Sequence, residues 1–217
     1  MPVFESIYPL GDSALVVQFG SVISPETHNL IRNFLQWFEE VKPASVIECV
    51  PAFTTVTIHY DPYKMNATAF EDLKKLIETA PQALSQNTLF KTIEITVIYN
   101  GPDLEYVSAH AKLSIAEVIN LHSSATYLVH MIGFLPGFPY LGGMDERLQT
   151  PRKSTPRTSV PAGAVGIAGA QTGIYPLTTP GGWQHIGHTD LTLFDPHREQ
   201  PSLIKAGDHV KFVPVKT

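Results

Sequence analysis

The 217-residue sequence predicts two domains of different class: a small α+β sandwich over residues 1–85 and a mainly β barrel over 88–217. Three observations carry this reading. Two amphipathic helical patterns lie among four β-branched segments in the first part. The polar run PQALSQNTL at 81–89 then breaks the periodicity. After it come many short strand signals, frequent turns and only brief helices, a pattern that favours a closed or nearly closed barrel.

The elements of the first part follow in order. Ser6–Leu10 and Ala14–Phe19 read as strands joined by a Gly11–Asp12 turn. Ser24 is an N-cap with proline at the first helical position. Leu30, Ile31, Phe34, Leu35, Phe38 and Val41 line one face of that helix, and Pro43 stops it. Ser45–Val50 and Thr54–Tyr60 read as strands, separated at Pro51. A second helix follows Asn66, with Phe70, Leu73, Leu76 and Ile77 on one side. Helices covering one face of a small antiparallel sheet suggest a ferredoxin-like sandwich. Cys49 falls in a strand and reads as a core residue.

In the second part Ile93, Ile95 and Val97 alternate in a strand. Gly101-Pro102-Asp103 starts a short helix, and Ser114 with Glu117 forms a capping-box pattern opening another. Thr126–Ile132, Leu191–Phe194 and His209–Val213 are strand candidates, the last two separated by the turn-rich Asp195–Asp208.

Composition narrows function. The net charge is −5, and residues 1–85 carry the whole acidic excess. No basic footprint points to nucleic acid. A single cysteine gives no internal disulfide framework and fits a reducing compartment. MPVFESIYPLGDS lacks the basic and apolar regions of a signal peptide, and no apolar run is long enough for a membrane span. A cytoplasmic protein is expected.

Function concentrates in Gly133–His188. This stretch holds eleven of the fifteen glycines and seven of the eighteen prolines, and no Asp, Glu, Lys or Arg lies between Thr158 and Thr189. Aromatic and aliphatic residues interleaved with glycine describe rigid packed loops rather than a linker. Phe134, Phe138, Tyr140, Tyr175 and Trp183 are therefore candidate pocket walls. Several of the glycines among them are expected at positive φ or in close backbone approach. Arg152 and Arg157 can fork onto an anion, or serve simply as solvated loop charges. Gln171 and Tyr175 sit near glycines whose amides can face a ligand, and His185 follows Gly181-Gly182. His130 reads as a hydrogen-bonded core histidine. His185 and His188 lack the helix and the companion ligands that a metal site needs, so no metal is expected. No P-loop, dinucleotide fingerprint or nucleophile elbow is present, and no residue is assigned a catalytic role.

The segments GFLPGFPYLGG, PRKSTPRTSVPAGAVGIAGAQTGIYP and TTPGGWQHIGHT resemble the family that contains the 5-oxoprolinase B subunit, the sporulation-kinase inhibitor KipI and allophanate hydrolase subunit 1. The resemblance spans essentially the whole chain. It implies a cyclophilin-like barrel from about residue 88, and one component of an ATP-dependent 5-oxoprolinase working with separate A and C subunits. ATP would be used by the complex, since this chain has no nucleotide motif. Arg152 or Arg157 would then hold the substrate carboxylate, with Gln171, Tyr175 and His185 orienting the amide. The same resemblance admits an inhibitor of a sensor histidine kinase, with Phe134, Phe138, Tyr140 and Trp183 as partner contacts. It also admits a urea- or allophanate-processing subunit.

Overall fold

The computed structural model describes residues 3–64, 68–81 and 90–215. These divide into two units, and residues 82–89, where the sequence places the boundary, lie outside the described residues.

The first unit contains β1 (Ser6–Pro9), β2 (Ala14–Gln18), α1 (Pro25–Val41), β3 (Val46–Pro51), β4 (Thr55–Tyr60) and α2 (Ala69–Glu78). The Ser24 hydroxyl accepts from the Thr27 N–H at 3.2 Å, and Pro25 follows at the first helical position. Lys42 N–H closes the last turn onto the Phe38 carbonyl at 2.7 Å, ahead of Pro43. Asn66 lies outside the described residues. Leu15 and Val17 of β2 and Val56 and Ile58 of β4 share one core with Ile31, Phe34 and Phe38 of α1 and Leu73 and Ile77 of α2. Phe34 and Phe38 stack at 5.4 Å inside it.

Both layers of the expected sandwich are therefore present, but the connectivity is ββαββα. The antiparallel order is β1-β2-β4-β3, rather than the βαββαβ chain order of a ferredoxin-like unit. The cause is local: each pair of successive strands is joined too tightly for a helix to cross between them. The first turn holds Gly11 at φ +67°, and Ala52 N–H bonds the Thr55 carbonyl at the second. Cys49 is half-buried against this core, and burial pushes its thiol up to about 11. At neutral pH it is a packed thiol, not a nucleophile.

The second unit contains β5 (Thr92–Val97), α3 (Leu104–Ala111), α4 (Ile115–Ser124), β6 (Thr126–Ile132), β7 (Pro139–Gly142), β8 (Arg157–Val160), β9 (Ala164–Ala168), β10 (Gln171–Ile174), β11 (Thr179–Gly181), β12 (Gln184–His188) and β13 (His209–Pro214). Seven strands form one sheet in the order β12-β9-β10-β7-β6-β13-β5. Its two edges meet where Ile98 and His188 exchange N–H···O bonds of 2.9 and 3.0 Å, so the sheet nearly closes on itself. Strands β8 and β11 make a separate two-stranded ribbon. Helix α4 opens on a complete capping box between Ser114 and Glu117.

Leu191–Phe194 is not a strand. Phe194 forms one isolated bridge to Ser202, while Leu193 is buried and its carbonyl accepts from Leu203 N–H at 2.8 Å. The apolar signal there marks a loop pinned into the core.

His122 of α4 is fully buried inside the barrel. Its Nδ1 lies 2.7 Å from the Tyr99 hydroxyl and its Nε2 lies 2.9 Å from Thr172 Oγ1. Thr172 donates to the Gly166 carbonyl at 3.0 Å, so it accepts from Nε2–H, and Tyr99 donates to Nδ1. Burial holds His122 at about 3, far below the ordinary imidazole value of 6.5. A depressed histidine contributes stability that is complete above the unfolded value and is lost as pH falls toward the folded one. Chemical denaturation of the chain should therefore show a loss of stability below pH ~6.5 that deepens by up to about 1.4 kcal/mol per unit for this one proton. His122→Asn should flatten that slope by one proton's share while lowering stability at pH 7.5. An unchanged slope would place the titration elsewhere.

Candidate functional site

The candidate site forms at the hairpin between β6 and β7. Gly133 N–H bonds the Phe138 carbonyl at 3.1 Å, Phe138 N–H bonds the Leu135 carbonyl at 3.0 Å, and Leu135 N–H bonds the Gly133 carbonyl at 2.7 Å. This tight tip holds Gly137 at φ +81° and forces Phe134, a residue with a Cβ, to φ +65°. The Phe134 side chain is thereby presented to solvent, 59% exposed, at the mouth of a pocket.

The Phe138 ring is buried at the centre. Edge-to-face partners surround it, with Phe134 at 5.6 Å, Tyr140 at 5.0 Å, Tyr175 at 5.2 Å and Trp183 at 5.3 Å. The last two rings come from beyond β10 and from the turn before β12, both packed on β9. A Cβ on Gly181 would lie 2.5 Å from the Tyr175 hydroxyl, so glycine is what lets that ring stand upright. Gly143 and Gly169 also take positive φ, in line with the expectation for this stretch. The resulting cavity of about 300 Å³ is walled by these aromatic rings with Pro156, Pro180, Gly181 and Gly182, and Arg152 and Lys153 stand at its rim.

The two arginines part company. Arg157 donates to Asp103 through both terminal nitrogens, at 2.7 and 2.8 Å. Lys153 Nζ adds a third bond at 3.0 Å, and the backbone N–H of His185 a fourth at 2.7 Å. Burial of the Asp103 carboxyl would raise its pKa. The bonds from Arg157, from His185 N–H and from Lys153 outweigh that and hold it at about 2. Arg157 is thus a structural clamp, which corrects its placement as a free anion ligand. Arg152 makes no hydrogen bond or ion pair among the described residues and remains available.

Gln171 and His185 also fall outside the pocket lining. Gln171 opens β10 opposite Ala168, with its Nε2 buried and lacking a partner among the described residues. His185 is buried behind Tyr175, ring to ring at 5.6 Å, and burial together with Arg157 lowers its pKa and keeps it neutral. His188 bonds Asn100 at 3.1 Å, and His130 is buried in β6. Burial raises the pKa of Tyr140 and Tyr175 against the pull of Arg152, so both remain phenols at neutral pH. Sequence reasoning missed Asp103 and Lys153. The local signal at Asp103 was a helix start, yet its carboxylate makes no capping bond to α3 and turns to the 153–157 loop. A second, polar cavity of about 370 Å³ adjoins the first and is lined by Tyr106, Arg152, Lys153, Ser154, Thr155 and Gln184.

The second unit thus presents a nearly closed barrel with an aromatic pocket and a cationic rim. Residues 5–204 match the family model described as carboxyltransferase domain, subdomain C and D. The chain is 44% identical to the 5-oxoprolinase B subunit of Bacillus subtilis (strain 168), covering 98% of this chain and 94% of that one. It is 44% identical to the 5-oxoprolinase B subunit of Escherichia coli O157:H7 over 96% and 95%. The crystal structure of TTHA0988 superposes with a TM-score of 0.83 at 34% identity, and this chain spans 41% of that protein. A urea amidolyase of Lachancea kluyveri is 26% identical over 94% of this chain but 13% of its own length. The chain belongs to the carboxyltransferase subdomain C and D family, alongside the 5-oxoprolinase B subunits.

Removing one partner of a buried ion cluster is costly. Asp103→Asn should destabilise the chain by about 3 kcal/mol in chemical denaturation, because it strands Arg157 and Lys153. Arg152→Gln, at the exposed rim, should change stability by less than about 0.5 kcal/mol. Equal effects of the two variants would refute the division of labour drawn between clamp and rim.

Proposed function

We propose that this chain is the B component of a multi-subunit 5-oxoprolinase, an ATP-dependent enzyme that opens 5-oxo-L-proline to L-glutamate. The observation that carries the reading is the aromatic pocket with Arg152 unpaired at its rim, in a chain with near full-length relatives of that name. A five-membered lactam with one carboxylate matches such a site: the flat ring packs against aromatic edges while Arg152 holds the carboxylate by a forked hydrogen bond. The Tyr140 and Tyr175 phenols supply hydrogen-bond donors beside the ring. His185 acts from behind the wall, packed against Tyr175 rather than touching substrate, and Gln171 lies outside the lining.

A lactam carbonyl is a poor electrophile. Phosphorylation of its oxygen by ATP supplies a leaving group before water attacks, and in this reading the nucleotide and the remaining chemistry are completed by A and C subunits. The second unit is then a cyclophilin-like barrel. No described helix is long and apolar enough to cross a membrane, and a cytoplasmic location fits the reading.

The purified chain alone should not hydrolyse ATP, whereas addition of A and C subunits should give 5-oxoproline-dependent hydrolysis. In that complex Arg152→Ala should cost about 1.5–3 kcal/mol in kcat/KM, the worth of a charged hydrogen bond. Turnover by the chain alone, or an Arg152→Ala complex at the wild-type rate, would overturn this assignment. An inert complex, together with a chain that blocks autophosphorylation of a sensor histidine kinase, would establish the regulator reading instead.

A further inference from the structure

The polar cavity beside the aromatic pocket has its own chemistry. Its lining of Arg152, Lys153, Ser154, Thr155, Tyr106 and Gln184 supplies two cations and three hydroxyls and contains no carboxylate. We propose that it is a phosphate subsite, taking a tetrahedral oxyanion either as free phosphate or as the phosphoryl group of a larger ligand.

Charge is the first argument. Residues 152–157 carry three cations, Arg152, Lys153 and Arg157, and two of them bind the carboxylate of Asp103, which leaves an excess of two positive charges among these four residues. Arg157 gives Asp103 two of its five N–H groups, Lys153 gives it one of three and Arg152 gives it none. The remaining donors of Arg152 and Lys153 belong to residues that line the cavity.

Geometry is the second. Four consecutive residues, 152–155, contribute a guanidinium fork, an ammonium and two hydroxyls to one turn. Its first half is held in place: Gln184 Nε2 donates to the Pro151 carbonyl at 2.9 Å, and Lys153 N–H donates to the Gly182 carbonyl at 2.8 Å, while Arg157 beyond it is clamped by Asp103. A guanidinium fork, an ammonium and two hydroxyls in one turn suit the three free oxygens of a phosphoryl group. The volume leaves room for the group that carries it. Arg152 and Lys153 also line the aromatic pocket, so a ligand can place a small ring in one cavity and its phosphoryl group in the other.

The inference does not rest on the lactam reading, and its test separates the two. Inorganic phosphate, titrated into the full chain at constant ionic strength, should shift the backbone amide resonances of Ser154 and Thr155 saturably. The double variant Ser154→Ala/Thr155→Val, at residues that line only the polar cavity, should weaken phosphate binding about tenfold and leave 5-oxoproline binding intact. Phe134→Ala, which touches only the aromatic pocket, should do the reverse. ATP titrated in parallel separates the sources: tighter binding than phosphate with the same dependence on Ser154 and Thr155 assigns the group to a nucleotide, and equal binding assigns it to free phosphate. Chloride competing as well as phosphate, or phosphate binding untouched by the double variant, overturns the proposal. Phosphate binding without any 5-oxoproline binding would leave this subsite standing and remove the lactam reading.

Discussion

The Asp103 carboxylate is the interaction on which this end of the barrel depends. With its side chain only 6% exposed, it would carry several kcal/mol of desolvation cost if it stood alone. Four donors from three places in the chain remove that cost: Arg157 at the start of β8, Lys153 in the loop before it, and the backbone of His185 in β12. Asp103 N–H also bonds the His185 carbonyl at 2.9 Å, so the start of α3 is tied to β12 by main chain and side chain together. Once residues 153 and 157 are fixed, the loop between them has little freedom. Arg152, one residue before the first anchor, is left at the rim of both cavities with no hydrogen bond or ion pair among the described residues.

The aromatic wall has a different physical basis. Its rings meet edge to face, an arrangement that the ring quadrupole favours and that leaves space between them. Glycine makes it possible, since any side chain at Gly181 would collide with Tyr175. The left-handed backbone of Phe134 is the complementary cost: a residue with a Cβ in that region is retained only where the surroundings over-determine it, here by three hydrogen bonds across the hairpin tip.

Much of this was legible from sequence, and the failures share a cause. The Ser24-Pro25 helix start, the Ser114–Glu117 capping box and the five aromatic wall residues are signals confined to a few neighbouring positions or to one dense stretch, and each is present in the structure. Arg152 and Arg157 could not be told apart, because what separates them is a carboxylate 54 residues upstream of Arg157. Gln171 and His185 were placed in the pocket by proximity to glycine. Their cross-strand partners Ala168 and Gly166 put both on the face of the sheet that carries the aromatic cluster, yet neither reaches the cavity lining, and how far along that face a residue sits depends on strand pairing that no local pattern records. His122 carries no sequence signal at all, for its partners Tyr99 and Thr172 lie 23 and 50 residues away. The Leu191–Phe194 misreading has the same origin: apolar burial and strand pairing leave one composition, and only the partner strand distinguishes them.

The protonation states around the two cavities bear on how the site can work. Asp103 is held ionised by its cations and has no lone pair positioned for proton abstraction that is not already engaged. His185 is buried and held neutral behind Tyr175, while Tyr140 and Tyr175 are pushed further from ionising at neutral pH. General acid–base catalysis needs a group with a value near the working pH and within reach of the reacting atom. Each titratable group around these cavities for which a shift is resolved is moved away from that condition or is shielded from the pocket. What remains is polar donors, a fixed positive charge and an apolar wall. A surface of this kind becomes catalytic when another protein supplies the proton-transfer groups, and the physical character of the pocket is the reason a shared site fits this chain better than a self-contained one.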